Sequence, residues 1–319
     1  MIAASPPAAA EPLVSPLVSV VVPVYNRAHL VGRAIASVLA QTYRNIEIIV
    51  VDDASTDALA AALAQTPHPR LRRVVHPRNR GAAAARNTGV AAAAGDYVAF
   101  LDSDDVWYPR KLAVQVAAMQ GQPLEVAGTV CAYACVKPGY PARNITPDWT
   151  AGTFFHRQLL GCTCGPGTTL LCRRAVFAAI GPYDEELRRL EDWDWLLRLA
   201  EAGRRLLSSS EVLAWVEVGP GGSRHAVEAA LRRIGERHGP TIAAQGAAAR
   251  RCFEATLRLE AAAAAFGAKA YGPALAHTLR SLALYPARGA EFYRNLLRRA
   301  GRAVRPRRLP QSPPATSSL

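Results

Sequence analysis

Several things are missing from this chain, and each absence excludes a class of protein. None of its apolar runs approaches the ~18 residues needed to cross a bilayer. The opening MIAASPPAAAEPLVSP has neither the basic start nor the long apolar stretch of a secretory signal. A secreted or membrane-spanning protein is therefore not expected. The six cysteines (Cys131, Cys135, Cys162, Cys164, Cys172 and Cys252) form no C-x2-C zinc knuckle; Cys162-x-Cys164 is too tight, and no His pair stands beside it at ligand spacing. Reduced, partly buried thiols are the expectation, as in cytoplasm. No G-x-G-x-x-G follows the first apolar run, where Pro23-Val24-Tyr25-Asn26-Arg27 stands without a glycine, and no P-loop occurs. A nucleotide, if bound, is held in another way.

What is present is a chain of 319 residues, half apolar and one fifth charged, a composition that suits a folded protein. At about 150 residues per domain it has room for roughly two, and it can bury a large core without disulfide or metal staples. Only three of the 38 basic residues are lysine, so the arginine count alone carries little. Its distribution carries more. Residues 1–218 hold 21 basic and 20 acidic groups and residues 219–319 hold 17 and five, so nearly all of the net +13 lies in the last third.

After an Ala/Pro-rich lead over residues 1–16, expected to be disordered, apolar runs and amphipathic stretches alternate. Val18–Tyr25, Glu47–Val51, Leu71–His76 and Asp96–Leu101 read as strands. Arg27–Gln41, Asp57–Ala64, Ala82–Ala93 and Pro109–Gln120 read as helices. This alternation predicts an α/β fold with a mostly parallel sheet and helices on both faces. The next stretch is less regular, with strands at Val126–Val136 and Thr168–Cys172 and helices at Arg174–Ile180 and Glu191–Glu201. Gly219–Gly222 reads as a hinge. The expected division is an α/β domain over 17–223, a basic helical extension over 224–305 with a helical hairpin in Ala262–Tyr285, and a disordered Pro/Ser tail over 306–319.

In open parallel sheets, ligands sit beyond the carboxyl ends of the strands. Three clusters fall there: Pro23-Val24-Tyr25-Asn26, the run Asp52 to Asp57 (DDASTD), and Asp102-Ser103-Asp104-Asp105. The last two together hold six carboxylates. Crowded like charges raise one another's pKa, and a divalent cation relieves them; oxygen-rich sites favour magnesium or manganese. Plainer readings exist: Asp57 caps the helix it precedes, Ser55 or Thr56 fills a turn, and Asp105 caps the turn before Pro109. Co-location at successive strand ends favours the functional reading.

VSVVVPVYNRAHLVGRAIASVLAQTYRNIEIIVVDDASTD, then NRGAAAARNTGV, GDYVAFLDSDD and LEDWDWLLRLA, in this order from about Val18 to Ser223, resemble a family 2 glycosyltransferase. The resemblance implies a GT-A fold and transfer of a single sugar, with inversion, from a nucleotide-diphospho-sugar (a UDP-sugar) to a hydroxyl of a glycan, lipid-linked or envelope acceptor. It implies that Pro23, Val24 and Tyr25 line the nucleobase pocket, that Asp53 accepts a hydrogen bond from the base, and that Arg80 and Arg86 meet base or diphosphate. Asp102, Ser103 and Asp104 match the family's D-x-D motif; Asp104 is then the direct ligand of Mn2+ or Mg2+, and Asp102 meets ribose or metal-bound water. Glu191-Asp192 match the acidic pair, with Asp192 as the base that an inverting transferase needs and Glu191 orienting it or the acceptor.

Alternatives stand beside these roles. Arg86 can be a solvated helix arginine, and the acidic pair can merely complement a helix dipole. Trp193 and Trp195 are either core or a sugar-stacking platform, and Asp194 is expected off the site. Cys162–Gly167 falls where related proteins shape the acceptor pocket. His225 stands only approximately where many relatives carry a histidine near the metal. A Q-x-x-R-W motif is absent after the acidic pair, which disfavours polymer synthesis. The alternative class is a non-catalytic nucleotide-sugar or nucleic-acid binding module; the basic end has no recognised motif or interleaved aromatic platform, so no nucleic acid is expected. In Ala287–Arg305, Phe292, Leu296, Leu297, Ala300 and Val304 share one face beside Arg294, Arg298, Arg302 and Arg305. Such a stripe either packs on the α/β domain or lies in an anionic membrane interface. The expected location is the cytoplasm, with peripheral attachment to the inner face of the membrane on the second reading.

Overall fold

The computed structural model describes residues 15–137, 140–162, 167–219 and 222–286. Most of the lead, Pro220 and Gly221 of the hinge, Cys164 with its neighbours Thr163, Gly165 and Pro166, the stretch Ala287–Arg305 and the tail lie outside these residues.

The first hundred residues form the four strands β1 (Val18–Val24), β2 (Ile46–Asp52), β3 (Leu71–Val75) and β4 (Tyr97–Phe100), joined by helices α1 (Ala28–Leu39), α2 (Leu59–Ala64) and α3 (Ala82–Ala92). All four strands are parallel, in the order β3-β2-β1-β4, with Val18 opposite both Ile46 and Tyr97. Beyond them come β5 (Val106–Trp107), α4 (Lys111–Met119), β6 (Val126–Val136), β7 (Arg143–Ile145), α5 (Phe154–Gln158), β8 (Leu171–Arg173), α6 (Ala175–Ile180), α7 (Glu191–Glu201) and β9 (Arg205–Glu217). The last helices are α8 (Arg224–Ala244), α9 (Ala247–Gly267) and α10 (Tyr271–Leu284). The sheet continues β4-β8-β6-β9-β5, with β7 beside β6. β8 runs antiparallel to both its neighbours, β9 is parallel to β6, and β5 is antiparallel to β9. Six of the eight strands on this path therefore point one way.

Strand periodicity divides the core between the two faces. Val18, Val20, Val22 and Val24 of β1 pack with Val31 and Ile35 of α1, Leu59 of α2 and Leu112 of α4. Val21 faces the other side, with Ala83 and Ala85 of α3, Val176 of α6 and Trp195 of α7. Helices thus cover both faces, which is why β1, β2 and β4 are nearly continuous apolar runs. A third core forms where α8 and α9 close over α7: Trp193 and Leu197 meet Ile234 and Phe253. Both tryptophans of α7 are fully buried, so they are core and not a sugar platform.

Three expectations need correction. Asp57 does not cap the helix it precedes; its Oδ2 accepts from the Ala28 amide (2.8 Å) and so caps α1 across the cleft between loops. Thr168 and Thr169 of the expected Thr168–Cys172 strand belong instead to a 3-10 turn over Gly167–Thr169, and the strand is the three residues Leu171–Arg173. The strands β5, β7 and β9 and the helix α5 were not expected. In β9 the polar run Ser208–Glu211 breaks the apolar pattern, at the place where its register with β6 shifts.

Candidate active site

The loops after β1 and β2 are tied together by their own polar groups. Asn26 takes a left-handed φ of 52°, which asparagine tolerates. Its amide donates to Ser55 Oγ (3.0 Å) and its Oδ1 accepts from the Thr56 amide (2.7 Å). Tyr25 is left 46% exposed at the mouth, with Pro23 partly exposed beside it. Val24 faces the core, and its carbonyl accepts from the Asp53 amide (2.8 Å). Asp52 is buried, paired with Arg73, and accepts from the Ser55 amide (2.8 Å). Although burial pushes its carboxyl up, these bonds hold it below the usual range.

Asp53 is buried and highly connected. Its Oδ1 accepts from the Arg80 amide (2.8 Å) and meets His76 Nδ1 (2.7 Å); its Oδ2 accepts from the Gly81 amide (2.7 Å). A carboxylate has about four lone-pair sites, so one remains, on Oδ2. His76 in turn meets Thr88 Oγ1 through Nε2 (2.9 Å). The Arg80 guanidinium pairs with Glu185 (2.7 Å) at the exposed surface.

The loop after β4 carries Asp102 and Asp104, with side chains 27% and 24% exposed. Thr168, in the 3-10 turn, accepts from the Asp102 amide (3.1 Å) and donates to Asp105. Asp105 also accepts from the Glu217 amide (3.0 Å) and is fully buried, so it does not cap the turn before Pro109. Arg86 is only 6% exposed, which excludes a solvated helix arginine. Its Nη2 donates to Asp102 (2.8 Å) and its Nη1 to Glu191 (2.7 Å), while its buried Nε has no partner. Arg27 Nη1 donates to Asp104 (2.9 Å), and Arg33 Nη2 reaches both the Asp104 carbonyl and Glu217 at 2.7 Å.

This loop fits a divalent cation. Burial and then Asp102 push the Asp104 carboxyl up, the like-charge crowding that a cation relieves. No three His, Cys, Asp or Glu among the described residues form a ready ligand set. Magnesium-type sites commonly use one or two carboxylates and complete their shell with phosphate oxygens and water. Asp104 and Asp102 could supply such a pair, and Arg27, 44% exposed in its side chain, has room to turn away.

On the facing side, Leu190 adopts a left-handed φ of 62° and turns the chain into α7. Glu191 and Asp192 open that helix. Burial, followed by Glu191, pushes the Asp192 carboxyl up to about 6, while Arg86 opposes the rise. Cys162 Sγ donates to Asp192 Oδ2 (3.4 Å) and the Trp193 amide to Oδ1 (2.8 Å). A half-buried carboxylate of raised basicity beside a cleft suits proton abstraction. Asp194 points away, into α8, and His225 stands exposed in the first turn of α8.

The profile of Glycosyl transferase family 2 matches residues 19–181. This chain belongs to that family. The family 2 chain is 34% identical over 190 residues to an uncharacterized glycosyltransferase, RP339, of Rickettsia prowazekii, covering 56% of this chain and 57% of that one. It is 42% identical over 103 residues to the UDP-Glc:alpha-D-GlcNAc-diphosphoundecaprenol beta-1,3-glucosyltransferase WfgD of Escherichia coli, covering 32% and 41%. It thus spans about half the length of these curated relatives. Among solved structures it resembles the mannosyltransferase PcManGT from Pyrobaculum calidifontis in complex with GDP-Man and Mn2+, with a TM-score of 0.54 and 24% identity over 91% of this chain and 82% of that one. The family 2 chain therefore has the GT-A architecture expected from its motifs.

The fold brings Asp102, Arg86, Glu191 and Asp192 into one connected cluster, with Asp104 beside it, and sets Pro23, Tyr25 and Asp53 at the ends of the neighbouring strands. Thr168, Arg27, Arg33, Glu217 and His76 also line or brace this cluster, and no local motif in the sequence marks them as a group. Only His76 carried a signal, as a strand-end histidine.

Proposed function

We propose that this chain transfers a single sugar, with inversion, from a UDP-sugar to a hydroxyl of a glycan or lipid-linked acceptor, and that the reaction depends on Mn2+ or Mg2+. The observation that carries the reading is Arg86, whose one guanidinium joins the D-x-D carboxylate Asp102 to the acidic pair at Glu191. Donor and acceptor chemistry then meet at one point.

Pro23 and Tyr25 flank the base, with Val24 shaping the pocket from the core, and the spare acceptor on Asp53 Oδ2 suits an imide N–H such as that of uracil. Arg80 and Ser103 complete the donor side. Asp104 and Asp102 would hold the metal, which when bound supplies positive charge to the departing diphosphate. The acceptor hydroxyl attacks the anomeric carbon from the face opposite the diphosphate. As its oxygen forms the new bond, Asp192 takes its proton, and the bond to the phosphate oxygen breaks with the electron pair leaving on UDP. A carboxyl near 6 is largely ionised at neutral pH yet more basic than an ordinary aspartate. Glu191, fixed by Arg86, orients the acceptor.

The UDP-Glc donor and lipid-diphosphate acceptor in the name of the E. coli relative support the donor and acceptor choice, and Mn2+ with the Pyrobaculum enzyme supports the metal. We place the enzyme in the cytoplasm, peripheral on an anionic membrane face. Tyr271, Leu275 and Leu279, exposed at i, i+4 and i+8 on α10, support that location. No helix among the described residues is long and apolar enough to cross a membrane. The test is nucleotide release from a panel of UDP- and GDP-sugars, with and without Mn2+, against the Asp192→Asn variant. Release of UDP that needs metal and Asp192 is expected. No release from any donor would overturn the function, and turnover with GDP-sugars alone would overturn the UDP choice.

A further inference from the structure

We infer that Arg237 and His238 of α8 are positioning residues that act through Asp194 to fix α7, and with it the Asp192 carboxylate, at the acceptor side of the cleft. The inference rests on Asp192 being the base.

Asp194 lies two residues beyond Asp192. At 100° per residue the two side chains leave the helix on nearly opposite sides, so when Asp192 faces the cleft Asp194 faces α8. Its carboxylate is fully buried. Such a group is tolerated only when paired and hydrogen-bonded, and here three cations meet it. Oδ2 accepts from Arg198 Nε (3.0 Å); Oδ1 accepts from Arg237 Nη1 (2.6 Å) and His238 Nε2 (3.2 Å). Arg198 belongs to α7 itself and moves with it. Arg237 and His238 come from α8, beyond the stretch 19–181 matched by the family profile.

His238 is also fully buried, and its other ring nitrogen, Nδ1, faces Glu201 Oε1 at 2.9 Å. Both ring nitrogens meet carboxylate oxygens, so both must carry hydrogen: the ring is an imidazolium. It grips α7 at residues 194 and 201, about 10 Å apart along the helix axis. Arg237 makes a second link. Its Nη2 donates to Asp184 (2.6 Å), which also accepts from Arg233 Nε (2.7 Å). Asp184 stands in the loop that ends at left-handed Leu190 and delivers the acidic pair. A bulky residue at positive φ persists only where its surroundings over-determine it. The loop before the acidic pair and the helix after it are thus both held by α8.

A purely stabilising role would not need this arrangement, since buried ion clusters are often no more stable than well-packed apolar side chains of similar volume. What the cluster provides is a fixed direction for one helix. Catalysis is sensitive to that direction, because a misplacement of about 1 Å can cost on the order of 10²-fold in rate.

The experiment compares Arg237→Ala, Arg237→Lys and His238→Gln with the unchanged full-length chain, reading kcat, UDP affinity by calorimetry and amide exchange by mass spectrometry. In the Ala and Gln variants kcat is expected to fall roughly 10–10²-fold with UDP affinity retained. Arg237→Lys, which keeps a charge within reach of Asp194, is expected to recover part of the loss. Exchange over residues 190–195 should quicken in Arg237→Ala, and exchange over 102–105 should not. Unchanged kcat in the folded variants overturns the inference, and so does a parallel fall in UDP affinity. If the Ala and Gln variants do not fold, Arg237→Lys decides on the same two readouts. Asp192→Asn in the same series separates the two levels. Should it keep full kcat, the base assignment fails, and unaltered exchange over 190–195 in Arg237→Ala then overturns the positioning role by itself.

Discussion

Arg86 donates from one terminal nitrogen to Asp102 and from the other to Glu191, and it is also the cation that restrains the Asp192 carboxyl against burial and Glu191. With saturating UDP-sugar, activity should fall as pH drops through about 6, because Asp192, the proposed base, cannot accept the hydroxyl proton once it is itself protonated. Arg86→Met removes a cation that lowers that pKa, so the acid limb should move to higher pH; a limb that stays in place would take Arg86 out of the electrostatics. Asp192→Asn should lower kcat roughly 10²–10⁴-fold with UDP affinity retained in a titration, since the proposed donor groups lie at residues 23–104. Asp104→Ala should remove metal-dependent turnover while leaving the melting curve intact, and full activity in excess EDTA would sink the metal. Asp102, Asp104, Glu191 and Asp192 were legible because local motifs carry them. Thr168 and Glu217 were not, because they reach the D-x-D loop only after β8 and β9 have joined the sheet.

At the scale of elements, α3 approaches β1 so closely that a Cβ on Gly89 would lie 2.2 Å from Val21 Cγ1. Exchanging a mid-helix glycine for alanine ordinarily stabilises by roughly 0.5–1 kcal/mol. Here the overlap reverses the sign, and Gly89→Ala should cost about 1–3 kcal/mol in urea unfolding. The α7–α8 contact has a pH signature of its own. Burial pulls the His238 pKa down, but Asp194 and Glu201 raise it further, to a net value above its ordinary 6.5. The stability it contributes is complete below the unfolded value and lost as pH rises through the folded one. The melting temperature should therefore fall on the alkaline side, and this fall should be weaker in His238→Gln. Strands β1 to β4 were legible because burial on both faces writes long apolar runs. β9 was not, since Ser208–Glu211 interrupts its pattern, and α5 is too short to show a helical period.

For the whole molecule, the question is whether the α/β layers stand without the helices that follow them. Ending the chain at Ser223 would bare Trp193 and Leu197 and leave Asp194 with Arg198 as its remaining cation among those described, so the shortened chain should aggregate or melt without a cooperative transition. A sharp transition like that of the full chain would contradict this. Sedimentation with anionic and neutral vesicles, comparing the full chain with one ending at Pro286, tests the membrane reading. Equal binding by both would remove residues 287–319 as the anchor and leave the face of α10. The placing of β8 has a bearing on how the protein is made. β4 ends at Phe100, yet the strand that covers its free edge begins only at Leu171, about 70 residues later. At ~5–20 residues per second, a ribosome leaves that edge open for roughly 4–14 s. During that interval the nascent chain presents one unpaired edge of a wholly apolar strand to its surroundings, so the yield of native enzyme should depend on the chaperones that meet it at the exit tunnel.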